Sequence, residues 1–144
     1  MAGKYIGSLL VERGVLNTEQ VSVILDRQQR TGQPFGETAV LLYHIRMADI
    51  WRAIARQQID ALPRVNLHQE PHEECALKVI TARQAWITRV LPLRFEGETL
   101  ICATTEKHLP DAMAWLHERL DTPVHFVLSE ELPLKQCIME RFPQ

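Results

Sequence analysis

The sequence lacks any apolar run near the ~18 residues that a membrane-spanning helix needs, and direct membrane insertion is not expected. Its three cysteines, Cys75, Cys102 and Cys137, are scattered and form no Cys-x-x-Cys pair. An odd, dispersed set fits reduced thiols used as small apolar residues, not a disulfide framework. Excess positive charge is also missing: 16 Lys and Arg face 18 Asp and Glu, for a net charge of −2. That argues against an electrostatic grip on DNA or RNA, but leaves room for a small anion held by a few well-aimed groups. The chain contains neither a GxxxxGK[ST] phosphate loop nor a GxSxG elbow, and its carboxylates form no evident acid–base pair. No catalytic residue is assigned, and the expectation is a non-enzyme. The opening MAGKYIGSLLVERG is interrupted by Glu12 and Arg13 too early for a secretory signal, so the expected setting is cytoplasmic.

What the sequence does have is a repeat. "ILDRQQ" at 24–29 is answered by "AIARQQ" at 53–58, and a shift of 29 residues aligns much more than Arg-Gln-Gln. Gly7 falls on Gly36, Val11 on Val40, Leu16 on Ile45, Val21 on Ile50, Leu25 on Ile54, Gln28 on Gln57 and Gln29 on Gln58. Most matched positions are apolar and recur at helical spacing. Each copy therefore reads as helix, short turn, helix. In the first copy Gly14 supplies a left-handed stop, and Asn17 with Gln20 offers a capping box. Val21, Ile24, Leu25 and Gln28 then share one helical face. The second copy is weaker locally, with Tyr43 in place of Gly14 and Arg46 in place of Asn17. Between the copies, Gly32 and Pro34 break the chain.

The repeated apolar positions are explained by core packing. The repeated glycines and glutamines ask for more. At a helix start, a missing side chain opens backbone N–H groups to an anionic phosphate. A glutamine amide carries both donor and acceptor and can read a base edge.

From Leu62-Pro63 the texture changes. "LPRVNLHQEPHEE" reads as a linker or irregular crossing, followed by short helices over 73–80 and 82–87. "RVLPLRF" and "TLICAT" around Gly97 read as a β-hairpin. A helix over 110–120, a strand "VHFVL" and a closing helix over 130–142 complete a small mixed sheet covered by helices. The fold class expected is α+β. Residues 1–62 form a helical tandem-motif subdomain that binds ligand, 63–72 a linker, and 73–144 an α/β subdomain. Trp51, Trp86 and Trp115 sit in apolar patterns and are read as core. His68 and His72 have a ligand-like spacing, but Pro71 interrupts any helix that would align them and no third ligand is evident. No metal site is expected.

These residues resemble the MshEN-type domain, the N-terminal domain of type II secretion and type IV pilus assembly ATPases, also found fused to bacterial membrane glycosyltransferases. The family pattern runs from Arg-Leu-Gly through apolar positions to an L-x-x-x-L helix and a closing Gln, twice with a short link. Here it reads "YIGSLLVERGVLNTEQVSVILDRQ" over 5–28 and "PFGETAVLLYHIRMADIWRAIARQ" over 34–57. "RVLPLRFEGETLICATTE" and "TPVHFVLSEELPLKQCIMERF" resemble the family's second subdomain.

The resemblance implies a cytoplasmic regulatory module, with no cofactor, that binds the second messenger cyclic di-GMP. It further implies control of a linked or separate ATPase or membrane glycosyltransferase at the inner face of the bacterial inner membrane. The ligand-binding residues implied are Tyr5, Ile6, Gly7, Leu10, Leu25, Gln28, Arg30, Pro34, Phe35, Gly36, Ala39, Ile54 and Gln57. The chain departs from the family where its arginine is expected, carrying Tyr5 and Pro34 instead. Each loss removes a charged contact worth roughly 1–3 kcal/mol, with Lys4, Arg27, Arg30 and Arg56 as neighbouring sources of charge. The alternative is a ligand-free docking adaptor of the same fold.

Overall fold

A computed structural model describes residues 6–142, with the side chain of Ile6 also left out. The chain divides into two compact units with the boundary after Asp60, and each is described by itself.

The described residues of the first unit form four helices: α1 (Ile6–Glu12), α2 (Thr18–Thr31), α3 (Phe35–Tyr43) and α4 (Met47–Gln58). Both helices of the second copy start 29 residues after their counterparts in the first. The local signals explain these starts. Asn17 Oδ1 accepts the Gln20 backbone N–H at 2.8 Å, and Gln20 Oε1 accepts the Asn17 N–H at 2.9 Å. This reciprocal box contributes about 1 kcal/mol. Arg46, at the equivalent position, makes no side-chain cap. Asp49 in the first turn of α4 offsets this, because a carboxylate there faces the positive end of the helix dipole. It also pairs with Arg46 at 3.6 Å and Arg52 at 3.1 Å.

The helix stops differ in kind. Gly14 and Gly32 turn the chain at φ 75° and 74°, where glycine has no Cβ penalty. In the second copy the left-handed residue is His44, φ 55°, one position beyond Tyr43, so α3 runs a half-turn longer than α1. The core of this unit is built from Leu9, Leu10, Leu16, Ile24, Phe35, Ala39, Ile45, Ile50 and Ala53. Helix α1 packs on α4 and α2 on α3. Each copy's first helix thus lies against the other copy's second helix.

The second unit is α5 (Glu74–Leu77), α6 (Ala82–Thr88), β1 (Leu91–Glu96), β2 (Thr99–Thr104), α7 (Leu109–Arg119), β3 (Val124–Leu128) and α8 (Glu131–Arg141). The sheet order is β1-β2-β3, antiparallel then parallel. The parallel pair needs a crossover, and α7 supplies it. The β1–β2 turn passes through Gly97 at φ 63°. Pro92 is tolerated because β1 is an edge strand and bulges between Pro92 and Arg94.

Segment 63–72 binds along this unit. The Leu128 N–H donates to Pro63 O at 2.8 Å and the Val65 N–H to Leu128 O at 2.9 Å. Leu67 is fully buried. At the other edge the Glu73 N–H donates to Leu93 O at 2.7 Å, and Glu73 Oε1 accepts from the Phe95 N–H at 2.9 Å. Arg94 binds Glu70 at 3.1 Å and Pro71 O at 3.0 Å. Both open edges are thereby partly covered, which blunts edge-to-edge aggregation.

Two expectations are corrected here. The helix expected over 73–80 is one turn, Glu74–Leu77, because the chain must straighten to place Thr81 as the side-chain cap of α6. Trp86 is not core: it is 38% exposed, with the Arg89 guanidinium stacked 4.4 Å over its ring. Among the described residues no helix is long and apolar enough to cross a membrane.

Candidate functional site

The candidate residues of the tandem motif lie in the four-helix unit, and packing divides them. Leu10 and Ala39 are fully inaccessible, and Phe35 is buried beside them in the core. Leu25 faces outward at 49% exposure, which is unusual for a leucine aligned with the half-buried, core-packed Ile54. Gln28 and Gln57 are both half-buried. Among the described residues no side-chain hydrogen bond engages either amide, so both retain donors and acceptors for another molecule. Arg30 is exposed and pairs with Asp26 at 3.2 Å one turn away. Pro34 is exposed and precedes α3 as a cap without a side-chain bond. Tyr5 lies outside the described residues, as does the side chain of Ile6.

The two glycines do the same thing in both copies. A Cβ placed on Gly7 would lie 2.8 Å from Val21 Cγ1, and one on Gly36 would lie 3.3 Å from Ile50 Cγ2. Val21 and Ile50 are themselves repeat partners. Each glycine therefore lets the first helix of its copy approach the second. The space expected to admit a ligand at the Cα is filled by an apolar side chain. The backbone N–H of Gly36, in the first turn of α3, still has no intrahelical acceptor. Phe35 also reaches across the copies, its ring 3.6 Å from the position a Gly7 Cβ would take. The two motif starts are thus neighbours.

The sequence offered no direct sign that Val21 and Ile50 matter to the glycines. Their 29-residue relation was visible, but the contact at 14 residues' separation required the turn geometry. A depression of about 270 Å³ on α2, lined by Val23, Asp26, Arg27, Arg30 and Thr31, takes in one candidate residue and two cations. In the second unit, burial pushes the Cys102 thiol up to about 12 and raises Cys137. Neither is a nucleophile at neutral pH. His108 is lowered mainly by burial, with its Nδ1 2.7 Å from Thr105 Oγ1. Among the described residues no three His, Cys, Asp or Glu side chains gather as metal ligands.

Comparison with known proteins covers both units. A solved structure of MshE with cdg is 26% identical, with TM-score 0.53, covering 96% of this chain and 99% of that one. The N-terminal domain of XpsE is 15% identical, with TM-score 0.51, covering 96% and 94%, a likeness of fold. No curated protein matches the sequence. The family model described as MshEN domain matches residues 61–144, which coincide with the sheet-containing unit and leave the tandem repeat before them. With more than half of its length matched, the chain belongs to the MshEN domain family.

Proposed function

We propose that this chain is a non-catalytic regulatory module that binds cyclic di-GMP through its two repeated motifs. The observation that carries the reading is the equivalence of the copies. Gly7 with Val21 and Gly36 with Ile50 make equivalent contacts, and among the described residues no side-chain hydrogen bond engages the amide of Gln28 or of Gln57. Cyclic di-GMP is itself a near-twofold molecule with two guanines and two phosphates, and paired motifs can give each half similar surroundings. The likeness to MshE with cdg, which denotes cyclic di-GMP, supports the same ligand.

In this reading Leu25 and Ile54 lie under the rings, the glutamines take guanine edges, and Gly36 offers its N–H to phosphate. Arg30, with Arg27 and Arg56, supplies the positive charge that Tyr5 and Pro34 do not. Ligand held between the copies alters how the module meets a linked or partner ATPase, or a membrane glycosyltransferase, on the cytoplasmic side of a bacterial inner membrane.

Calorimetric titration with cyclic di-GMP tests this, with GTP and cyclic di-AMP as controls. Selective, saturable binding weakened by Gln28→Ala and by Gln57→Ala is the expected result. Absence of heat at high-micromolar ligand would instead favour a docking adaptor, consistent with the apolar Pro34 at the motif's second start.

A further inference from the structure

Helices α6 and α8 pack against each other and leave between them a groove of about 360 Å³ lined by Ala82, Arg83, Trp86, Ile138, Met139 and Phe142. Each helix already has a buried face: Ala85 on α6, and Leu134, Cys137 and Ile138 on α8. Yet each also turns large apolar side chains outward. Trp86 and Ile87 are exposed on α6, and Leu132 and Met139 on α8. Leu132 and Met139 are two turns apart on one face, with Lys135 between them. Single exposed apolar residues are ordinary. Here two of the four, Trp86 and Met139, line one groove between adjoining helices, and together they mark a contact surface.

The charge around the groove says what fits. Arg89 is committed, stacked on Trp86 and paired with Glu131 at 3.5 Å, and its guanidinium also donates to Trp86 O. Lys135 Nζ sits 5.7 Å from the same ring. Among the described residues neither Lys135 nor Arg83 has an ion pair. Glu140, without an ion pair among the described residues, lies ~100° around α8 from Met139. The groove thus carries one cation in its lining, Arg83, and a second, Lys135, held near it over the Trp86 ring with no ion pair among the described residues. An anionic bilayer is disfavoured, because the surface is concave and the whole chain carries a net charge of −2.

We propose that the α6–α8 groove seats an amphipathic helix of a partner protein, its apolar stripe flanked by acidic side chains. Apolar anchors enter beside Trp86 and Met139, and carboxylates meet Arg83 and Lys135 at the rim, a helix-in-groove mode. The rim charges select the partner and the trough holds it.

The test is a selection on the full chain from a displayed library of helical peptides of about 16 residues, long enough to span α8. Apolar residues are fixed at i, i+3, i+4 and i+7, and Glu, Lys or Gln is allowed on the flanks. The expected result is enrichment of Glu over Lys by at least about fivefold. The selected peptide then binds saturably by fluorescence anisotropy. Met139→Glu and Lys135→Glu each weaken it by about tenfold or more while thermal unfolding is unchanged. Leu132→Glu serves as a second apolar variant should Met139→Glu unfold the chain. Flanks without charge bias, or biased to Lys, would overturn the proposal. So would equal binding by the variants. Binding of phosphatidylglycerol vesicles that Met139→Glu abolishes, with no peptide selected, would assign the face to lipid and equally overturn it.

Discussion

Val21 Cγ1 occupies the space that a side chain at Gly7 would need, 2.8 Å from where its Cβ would stand. Valine is stiff at χ1, so Val21 cannot easily swing aside. Alanine in a helix gains up to about 1 kcal/mol over glycine, but overpacking costs about 1–3 kcal/mol. Gly7→Ala should therefore be destabilising in urea unfolding, and adding Val21→Ala should restore much of the loss. Gly36→Ala, with its neighbour Ile50 Cγ2 at 3.3 Å, should fall within about 1 kcal/mol of the parent, since the methyl needs only a few tenths of an ångström.

The caps of the two long helices differ, and the difference is measurable. Asn17→Ala removes a reciprocal box and should cost about 1 kcal/mol. Arg46→Asn places a cap where none exists and should gain roughly 0.5 kcal/mol, since the exposed Arg46–Asp49 pair it sacrifices is worth little. Chemical denaturation of the two variants side by side checks the opposite signs.

Leu25 and Leu10 belong to the same candidate set but to different environments. Leu10→Ala opens the core and should cost about 2–5 kcal/mol. Leu25→Ser should leave the melting temperature within about 2 °C, because half of that side chain is already in water. If Leu25 supports a guanine ring, the same substitution should weaken cyclic di-GMP at least tenfold by calorimetry. Unchanged affinity would remove Leu25 from the site.

The thiols should separate by burial. Cys75 is exposed, while Cys102 and Cys137 are buried. A disulfide-exchange reagent should label one cysteine quickly in the folded chain and all three after denaturation. The buried thiols also set a sign for alkaline stability. Cys102 ionises at about 12 when folded, against 9.0 when free, and the unfolded chain therefore holds fewer protons between those values. Its contribution is intact below pH 9 and is lost as pH rises toward 12. Cys102→Ala should flatten that part of the stability profile.

The repeat and its punctuation were legible because they are local. A capping box, a left-handed glycine and apolar residues at helical spacing each act within a few residues, and the helices begin where those signals stand. The order of strands and helices after residue 90 was legible for the same reason. The pairing of α1 with α4 and α2 with α3 was not, because periodicity marks an apolar face without naming what covers it. Trp86 was misjudged for a related cause. In a seven-residue helix two faces differ by only a few positions, and Ala85, not its larger neighbour, turned inward. Gly7 and Gly36 were recognisable as special, but a glycine that admits a ligand and one that admits a neighbouring helix read alike in sequence. The local chain could suggest the motif, while the use of its space needed the fold.

The exchange of helices between the copies also sets how such a repeat can be multiplied. Within one copy the two helices meet at the glycine, Gly7 on Val21 or Gly36 on Ile50, but each finds its broader contact on the other copy. The first helix finds most of its cover on a second helix that the other copy brings. Such a module is in effect a dimer sewn end to end, each copy completing the other. An array of these motifs should therefore lengthen by two units at a time, never by one.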